Sequence, residues 1–365
     1  MTRGLILIAL CAGMVACASV PDVYDLIDQP SGAATQPEIV GAHGPLTAKQ
    51  SKALFRGMGV DEHDIDVLQR HLIIEQAVAE SPLAAGNRTH VLRDGAATFR
   101  ALFSAIRGAK DHINLEYFIF EDIESDGQSL GNLLTEKQRT GIPVNIIYDS
   151  FGSSATPNDF FDRLKEAGVT LVQFNPVNPL SAGASYSPND RDHRKILVVD
   201  GATAIVGGVN LSAAYQGSSG KSAAPEANFA GQWRDTDLEI QGPVVAQLQR
   251  LFLDHWAAQK GPPLRAANFF PTVPPKGAEV VRIVGSTPGD EIPRYYVTLL
   301  SAIRNAEKSI WLIAAYFVPT HQEKEDLIDA ARRGVDVRIL VPDQSDSESS
   351  IAVQHSTIPI SWKPA

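Results

Sequence analysis

From Thr89 onward, short apolar runs alternate with longer segments whose apolar residues recur at helical spacing. Strands are expected at 90–92, 113–120, 144–148 and 170–174, and helices at 96–109, 129–139 and 159–167. Such a βαβα rhythm builds a sheet flanked by helices. The pattern then returns. Ala105-Ile106-Arg107-Gly108-Ala109-Lys110 is answered by Ala302-Ile303-Arg304-Asn305-Ala306-Glu307, and the run 113–120 by 310–318. Arg139-Thr140-Gly141-Ile142-Pro143-Val144 is answered by Arg332-Arg333-Gly334-Val335-Asp336-Val337. The shift from Gly141 to Gly334 is about 193 residues, the mark of a duplicated domain rather than a short-period array. The expected fold is α/β, in two like halves.

The chemistry concentrates in Arg191-Asp192-His193-Arg194-Lys195-Ile196-Leu197-Val198-Val199-Asp200-Gly201. The apolar run 196–199 reads as a buried strand. Residues two apart share a face of a strand, so His193 and Lys195 present an imidazole and an ammonium together. Asp200-Gly201 closes the strand with turn chemistry. A second short strand, 203–206, delivers Gly207, Gly208 and Asn210. The glycines are expected to let backbone and ligand approach closely. An imidazole nucleophile suits attack on a phosphodiester, and lysine and asparagine suit the oxygens on which charge builds.

These residues resemble the HKD motif of the phospholipase D superfamily. The Arg-Asp-His-Arg-Lys run, Trp233-Arg234-Asp235 and Gly242-Pro243-Val244 resemble its bacterial cardiolipin synthase branch, over about Thr89 to Ser347. The resemblance implies a phospholipase D-like fold, a mixed β-sheet flanked by helices, duplicated with the second half incomplete. It implies phosphatidyl transfer through a phosphohistidine, from phosphatidylglycerol-type lipid to water, glycerol or a second lipid. The implied catalytic set is His193, Lys195 and Asp200, with Asp200 fixing local geometry. Lys195, Asn210 and Ser212 would bind phosphate. Glu116 and Asp235 would support, Asp235 by orienting the reacting histidine, with Asp237 as its competitor. No cofactor and no metal are expected, because the carboxylates near the motif do not cluster with histidines at ligand spacing.

The net charge of −10 argues against a nucleic-acid partner, which calls for a basic field. The chain starts with Met1-Thr2-Arg3 and an apolar stretch to Ala16, a secretory signal in form. Met14-Val15-Ala16-Cys17 resembles a bacterial lipobox. Cys17 would then carry lipid and anchor the protein in the cell envelope, facing the periplasm; simple cleavage near Ala16-Cys17-Ala18 is the alternative. The only two cysteines, Cys11 and Cys17, both lie here. Residues 1–18 are thus read as the signal and lipobox region, and 19–85 as tether plus two helices (46–58 and 65–81). A first phospholipase D-like domain is expected over 86–261, a Pro-rich linker over 262–277, and a partial second domain over 278–365. The long loop 175–190 and the polar loop 216–228 would frame the entry for lipid.

The repeat arithmetic places a second His-x-Lys near about position 386, past Ala365. The sequence holds one such pair. The reading is a C-terminally truncated enzyme with impaired activity. The alternatives are a nuclease or hydrolase of the same superfamily, and a non-catalytic lipid-binding lipoprotein. The oligomeric state stays open.

Overall fold

The computed structural model describes residues 21–28, 37–41, 43–57, 62–79, 81–176, 190–216, 233–287, 290–343, 345 and 347–357. The lipobox with Cys17, most of the two framing loops and the last eight residues lie outside these. Contacts divide the chain into two bodies, 34–295, and 1–33 with 296–365.

The first body is built on one mixed sheet. Its strands are β1 (Ile39–Gly41), β2 (Gly44–Pro45), β3 (Leu83–Arg93), β4 (Ile113–Tyr117), β7 (Val144–Asp149), β8 (Thr170–Phe174), β9 (Lys195–Val199), β10 (Thr203–Gly207), β11 (Thr236–Gln241) and β12 (Glu279–Val281). A small hairpin of β5 (Glu124–Ser125) and β6 (Gln128–Ser129) stands apart. The order is β2-β1-β3-β11-β10-β9-β4-β7-β8, with β12 also on β3. β4, β7 and β8 run parallel. β9 joins them antiparallel through β4, and β10, β11 and β3 continue antiparallel. The mixed α/β architecture expected from the sequence is therefore present, and β3 is much longer than the three residues expected there.

Parallel strands need crossovers, here helices Leu130–Arg139 and Asn158–Glu166. Ser129 caps the first by accepting from the Asn132 amide at 3.2 Å. Gly141 follows that helix at φ 95°, a conformation that favours glycine. These helices and Asp94–Gly108 cover one face of the sheet around Leu102, Phe103, Leu115 and Leu197. Helix Val245–Ala258 covers the other face, against Ile196, Val198, Ile147 and Val172. Every residue of β4, β7 and β9 is buried as a result. Burying a large aliphatic side chain stabilises by about 1.5–3 kcal/mol, so the centre of the sheet is the stiffest support available.

The Pro-rich stretch does not separate the bodies. Asn268 donates its amide to Asp111 at 2.8 Å, β12 pairs with β3, and Ser81 donates to the Ile283 carbonyl at 2.7 Å. These contacts keep 262–287 with the first body, and the division falls at 295/296 instead of at 262–277. The second body contains β13 (Ser309–Ile313), helix His321–Arg332 and β14 (Asp336–Leu340). Its two strands pair parallel, Ile310 with Val337 and Leu312 with Ile339. A capping box starts its helix, with Thr320 and Glu323 each accepting the other's amide.

Candidate active site

β9 is antiparallel to β4, so its first residue, Lys195, lies opposite Tyr117, the last of β4. The motif therefore enters the sheet beside the carboxyl ends of β4 and β7, where open α/β sheets bind ligands. An open cavity of about 540 Å³ lies here, and Asp192, His193, Arg194, Lys195 and His255 are among its lining residues.

His193 is exposed. Its ring lies against Phe118, centroids 4.8 Å apart and tilted by 52°. Partial desolvation and the nearby Lys195 charge push its pKa down to about 4, against a smaller opposing effect of Asp235. At neutral pH the imidazole is therefore neutral, the form that attacks phosphorus. Lys195 is buried, with Nζ 2.6 Å from the His193 carbonyl and 5.3 Å from the centre of the Phe118 ring. Burial brings its pKa down to about 8, with Asp192, Asp235, Asp237 and Asp149 working the other way. It stays largely cationic at pH 7.

Asn210 and Ser212 are both buried on the segment after β10. Asn210 Oδ1 accepts from the Ile119 amide at 3.1 Å, and its Nδ2 makes only a long contact to the Tyr215 hydroxyl at 3.4 Å. That amide hydrogen-bonding capacity suits an anionic oxygen. Ser212 caps the short helix Ala213–Tyr215 through the Ala214 amide, so its hydroxyl already has a structural task.

Two expectations are corrected, and Asp200 holds local geometry, standing apart from His193 and Lys195. It sits at the far end of β9 at φ 53°, and its carboxylate accepts from the amides of Lys110, Asp111 and His112. Gly207 and Gly208 do not make room for a ligand. A Cβ on Gly207 would meet Asp237 Oδ1 at 2.2 Å, and one on Gly208 would meet Asp235 Oδ1 at 2.1 Å. The glycines admit these two carboxylates. Lastly, carboxylates near the motif do gather with a histidine. Ligand atoms of Glu116, Asp192 and His255, all buried, lie within 4.8 Å of one another.

Asp235 is exposed and acts on His193 through its charge. Asp237 is buried, holds the Val209 amide at 2.9 Å, and is pushed up to about 6, chiefly by burial. Glu116 is fully buried on β4. Its Oε1 accepts from His255 Nδ1 at 2.9 Å and from Arg194 Nη1 at 3.1 Å. Burial opposes its ionisation, but these two partners override it and hold the carboxyl below its usual range. Arg194 reaches on to the Ser286 carbonyl at 3.1 Å and Thr287 Oγ1 at 2.8 Å. Asp149, fully buried at the end of β7, accepts from the amides of Phe151, Gly152 and Asp192 at 2.8–3.1 Å. The segment entering the motif is thus held from β4 through the Arg194 side chain and from β7 through the Asp192 amide. Asp192 stands in the Arg-Asp-His-Arg-Lys run with no role of its own expected there, and His255 lies in a helix with ordinary apolar spacing.

An exposed neutral imidazole beside a buried ammonium, at the start of an antiparallel strand inserted next to parallel ones, defines a phospholipase D-like protein. The chain belongs to the family described as "Cardiolipin synthase, PLD-like domain", whose model matches residues 102–228 and 299–361, just over half of the sequence. The cardiolipin synthase of Geobacillus kaustophilus is 33% identical over 295 residues, covering 80% of this chain and 56% of that relative. Cardiolipin synthase A of Pseudomonas fluorescens is 36% identical over 267 residues, covering 73% of this chain and 53% of its own. The chain thus spans a little over half the length of these curated relatives. The fold is also similar to a phosphatidylserine synthase from Haemophilus influenzae, with a TM-score of 0.52 at 14% identity over 77% of this chain and 70% of that one.

Proposed function

We propose that the chain carries the phosphohistidine-forming half of a phospholipase D-type phosphatidyltransferase. The observation that carries this is His193, neutral at pH 7, on the wall of the cavity with buried Lys195 beside it. His193 attacks the phosphorus of a phosphatidylglycerol-type lipid; the N–P bond forms as the P–O bond to the departing glycerol breaks. An acceptor hydroxyl then forms a new P–O bond and releases the imidazole. Lys195 and the Asn210 amide meet the charge on the phosphoryl oxygens. The likeness to two cardiolipin synthases supports a phosphatidyl donor over a nucleic acid, as does the net charge of −10.

The leaving alkoxide needs a proton, and the repeat assigns that task to a second His-x-Lys. These 365 residues hold one. Loss of such a proton transfer typically slows turnover by about a hundred- to ten-thousandfold. The stretch from Tyr296 onward is assigned to a second copy of the domain on the strength of the shared parallel strand pair. Residues 1–18 are assigned to the signal and lipobox, with Cys17 lipidated and the body on the periplasmic side of a bacterial membrane. Among the described residues no helix is long and apolar enough to cross a membrane. Mass analysis of the mature N-terminus tests the lipid anchor: an unmodified Ala18 or Ser19 terminus overturns it.

The test of the reaction offers the whole chain phosphatidylglycerol vesicles and, separately, single-stranded DNA. Release of glycerol with formation of phosphatidic acid or cardiolipin, abolished by His193→Ala, supports the proposal. DNA cleavage without lipid turnover replaces it with the nuclease. Vesicle binding without turnover, unchanged in His193→Ala, replaces it with a lipid-binding protein.

A further inference from the structure

Behind the motif, three elements send side chains to one buried point. Glu116 comes from β4, Asp192 from the segment leading into β9, and His255 from helix Val245–Ala258. Their side chains are 0%, 3% and 5% exposed. His255 Nδ1 lies 2.9 Å from Glu116 Oε1 and 3.9 Å from an Asp192 oxygen. Arg194 also takes Glu116 Oε1 at 3.1 Å. Asp192 Oδ1 accepts from the Arg194 amide at 3.2 Å, and the second oxygen of each carboxylate, Glu116 Oε2 and Asp192 Oδ2, is buried without a hydrogen-bond partner. A buried acceptor left unpaired is costly, and two are present in this cluster.

We propose that Glu116, Asp192 and His255 form a binding site for one divalent transition-metal cation of the Zn²⁺ or Mn²⁺ kind. An imidazole nitrogen with two carboxylate oxygens is a donor set for such ions, whereas Mg²⁺ and Ca²⁺ favour oxygen alone. Ligand atoms about 2.0–2.2 Å from a shared cation lie at most about 4.4 Å apart. The 4.8 Å span of the three therefore needs only a small closing movement. The cation would use the two unpaired oxygens, leave the Arg194 contact to Glu116 Oε1 in place, and replace the hydrogen bond at His255 Nδ1. Asp192 and His255 also line the cavity, which gives the ion a way in. Bound there, it would tie β4, the entry to β9 and helix Val245–Ala258 together directly behind His193.

The inference does not depend on the phosphatidyl-transfer reading, and its test is binding. The whole chain is dialysed against ZnCl₂ or MnCl₂ and its metal content measured. One tightly held equivalent is expected in the wild type and in His321→Gln, which removes an exposed histidine paired with Glu325. That equivalent is expected to be lost in Asp192→Asn and in His255→Gln. Since either variant could fold poorly, anomalous scattering at the zinc edge from a wild-type crystal provides the second reading. A peak among the three side chains supports the site. A wild type that holds no equivalent, an Asp192→Asn protein that keeps it, or a peak only elsewhere overturns it.

Discussion

β4–β7 and β13–β14 are the same device in different surroundings. Each is a parallel pair, in register Ile113 with Val144 in one and Ile310 with Val337 in the other. Each has a helix between its strands, and each helix is followed by a glycine at positive φ, Gly141 at 95° and Gly334 at 91°. Yet every residue of β4 is buried, while β13 alternates between exposed and half-buried positions. The difference is what surrounds the pair. β4 has β9 on its other edge and helices on both faces. Among the described residues, β13 pairs only with β14, and Trp311, Ile313 and Leu340 stand 72%, 79% and 63% exposed. A crossover pair builds itself from local sequence; a reactive site requires the extra strand that brings histidine and lysine to its edge.

The largest expected effect bears on that extra strand. His193→Ala should lower phosphatidylglycerol turnover by at least about a thousandfold, whereas His321→Gln in the second body should leave it unchanged; equal losses would break the contrast. Burial comes next. Leu115→Ala, at a fully buried position of β4, should lower unfolding stability by about 2–5 kcal/mol. Ile313→Ala on β13 should change it by less than about 0.5 kcal/mol, both read by chemical denaturation. A large loss at Ile313 would mean its face is covered in solution. The site's pH profile follows. Lys195, lowered to about 8, loses its proton as pH rises past that value, so turnover should fall about tenfold per pH unit above it. On the acid side, activity should fall only as pH drops through about 4, where the His193 imidazole protonates. The smallest effect tests the likeness itself. Gly141→Ala and Gly334→Ala meet no atom within 4 Å, so each should cost only the positive-φ strain, about 1 kcal/mol. Clearly unequal protection changes in local hydrogen exchange would show that the two turns are not counterparts.

Local patterns carried most of the fold. The apolar run of β9, the helical spacing before Gly141 and the returning Arg-x-Gly segment each depend on neighbours a few residues away, and each reads directly from the chain. His193, Lys195 and Asn210 were legible for the same reason, being close in sequence. Glu116 stands among the supporting residues expected from the sequence, but its meeting with Asp192 and His255 was not legible. The three are up to 139 residues apart, and only the pairing of β4 with β9 and the packing of helix Val245–Ala258 bring them together. The roles of Asp235 and Asp237 were blurred because residues two apart share a face of a strand, so alternation could not choose between them. The Pro-rich stretch misled on the boundary, since proline composition signals a break in regular structure and says nothing of what the segment lies against.

The position of Asp200 has a consequence for how the reacting strand is kept true. Its carboxylate clasps three successive amides at the opposite end of β9 from His193. Sliding β9 by one residue would turn Lys195 to the other side of the sheet and tear that clasp open at once. The aspartate thus acts as a locating pin, ruling out misaligned pairings while it touches nothing that reacts.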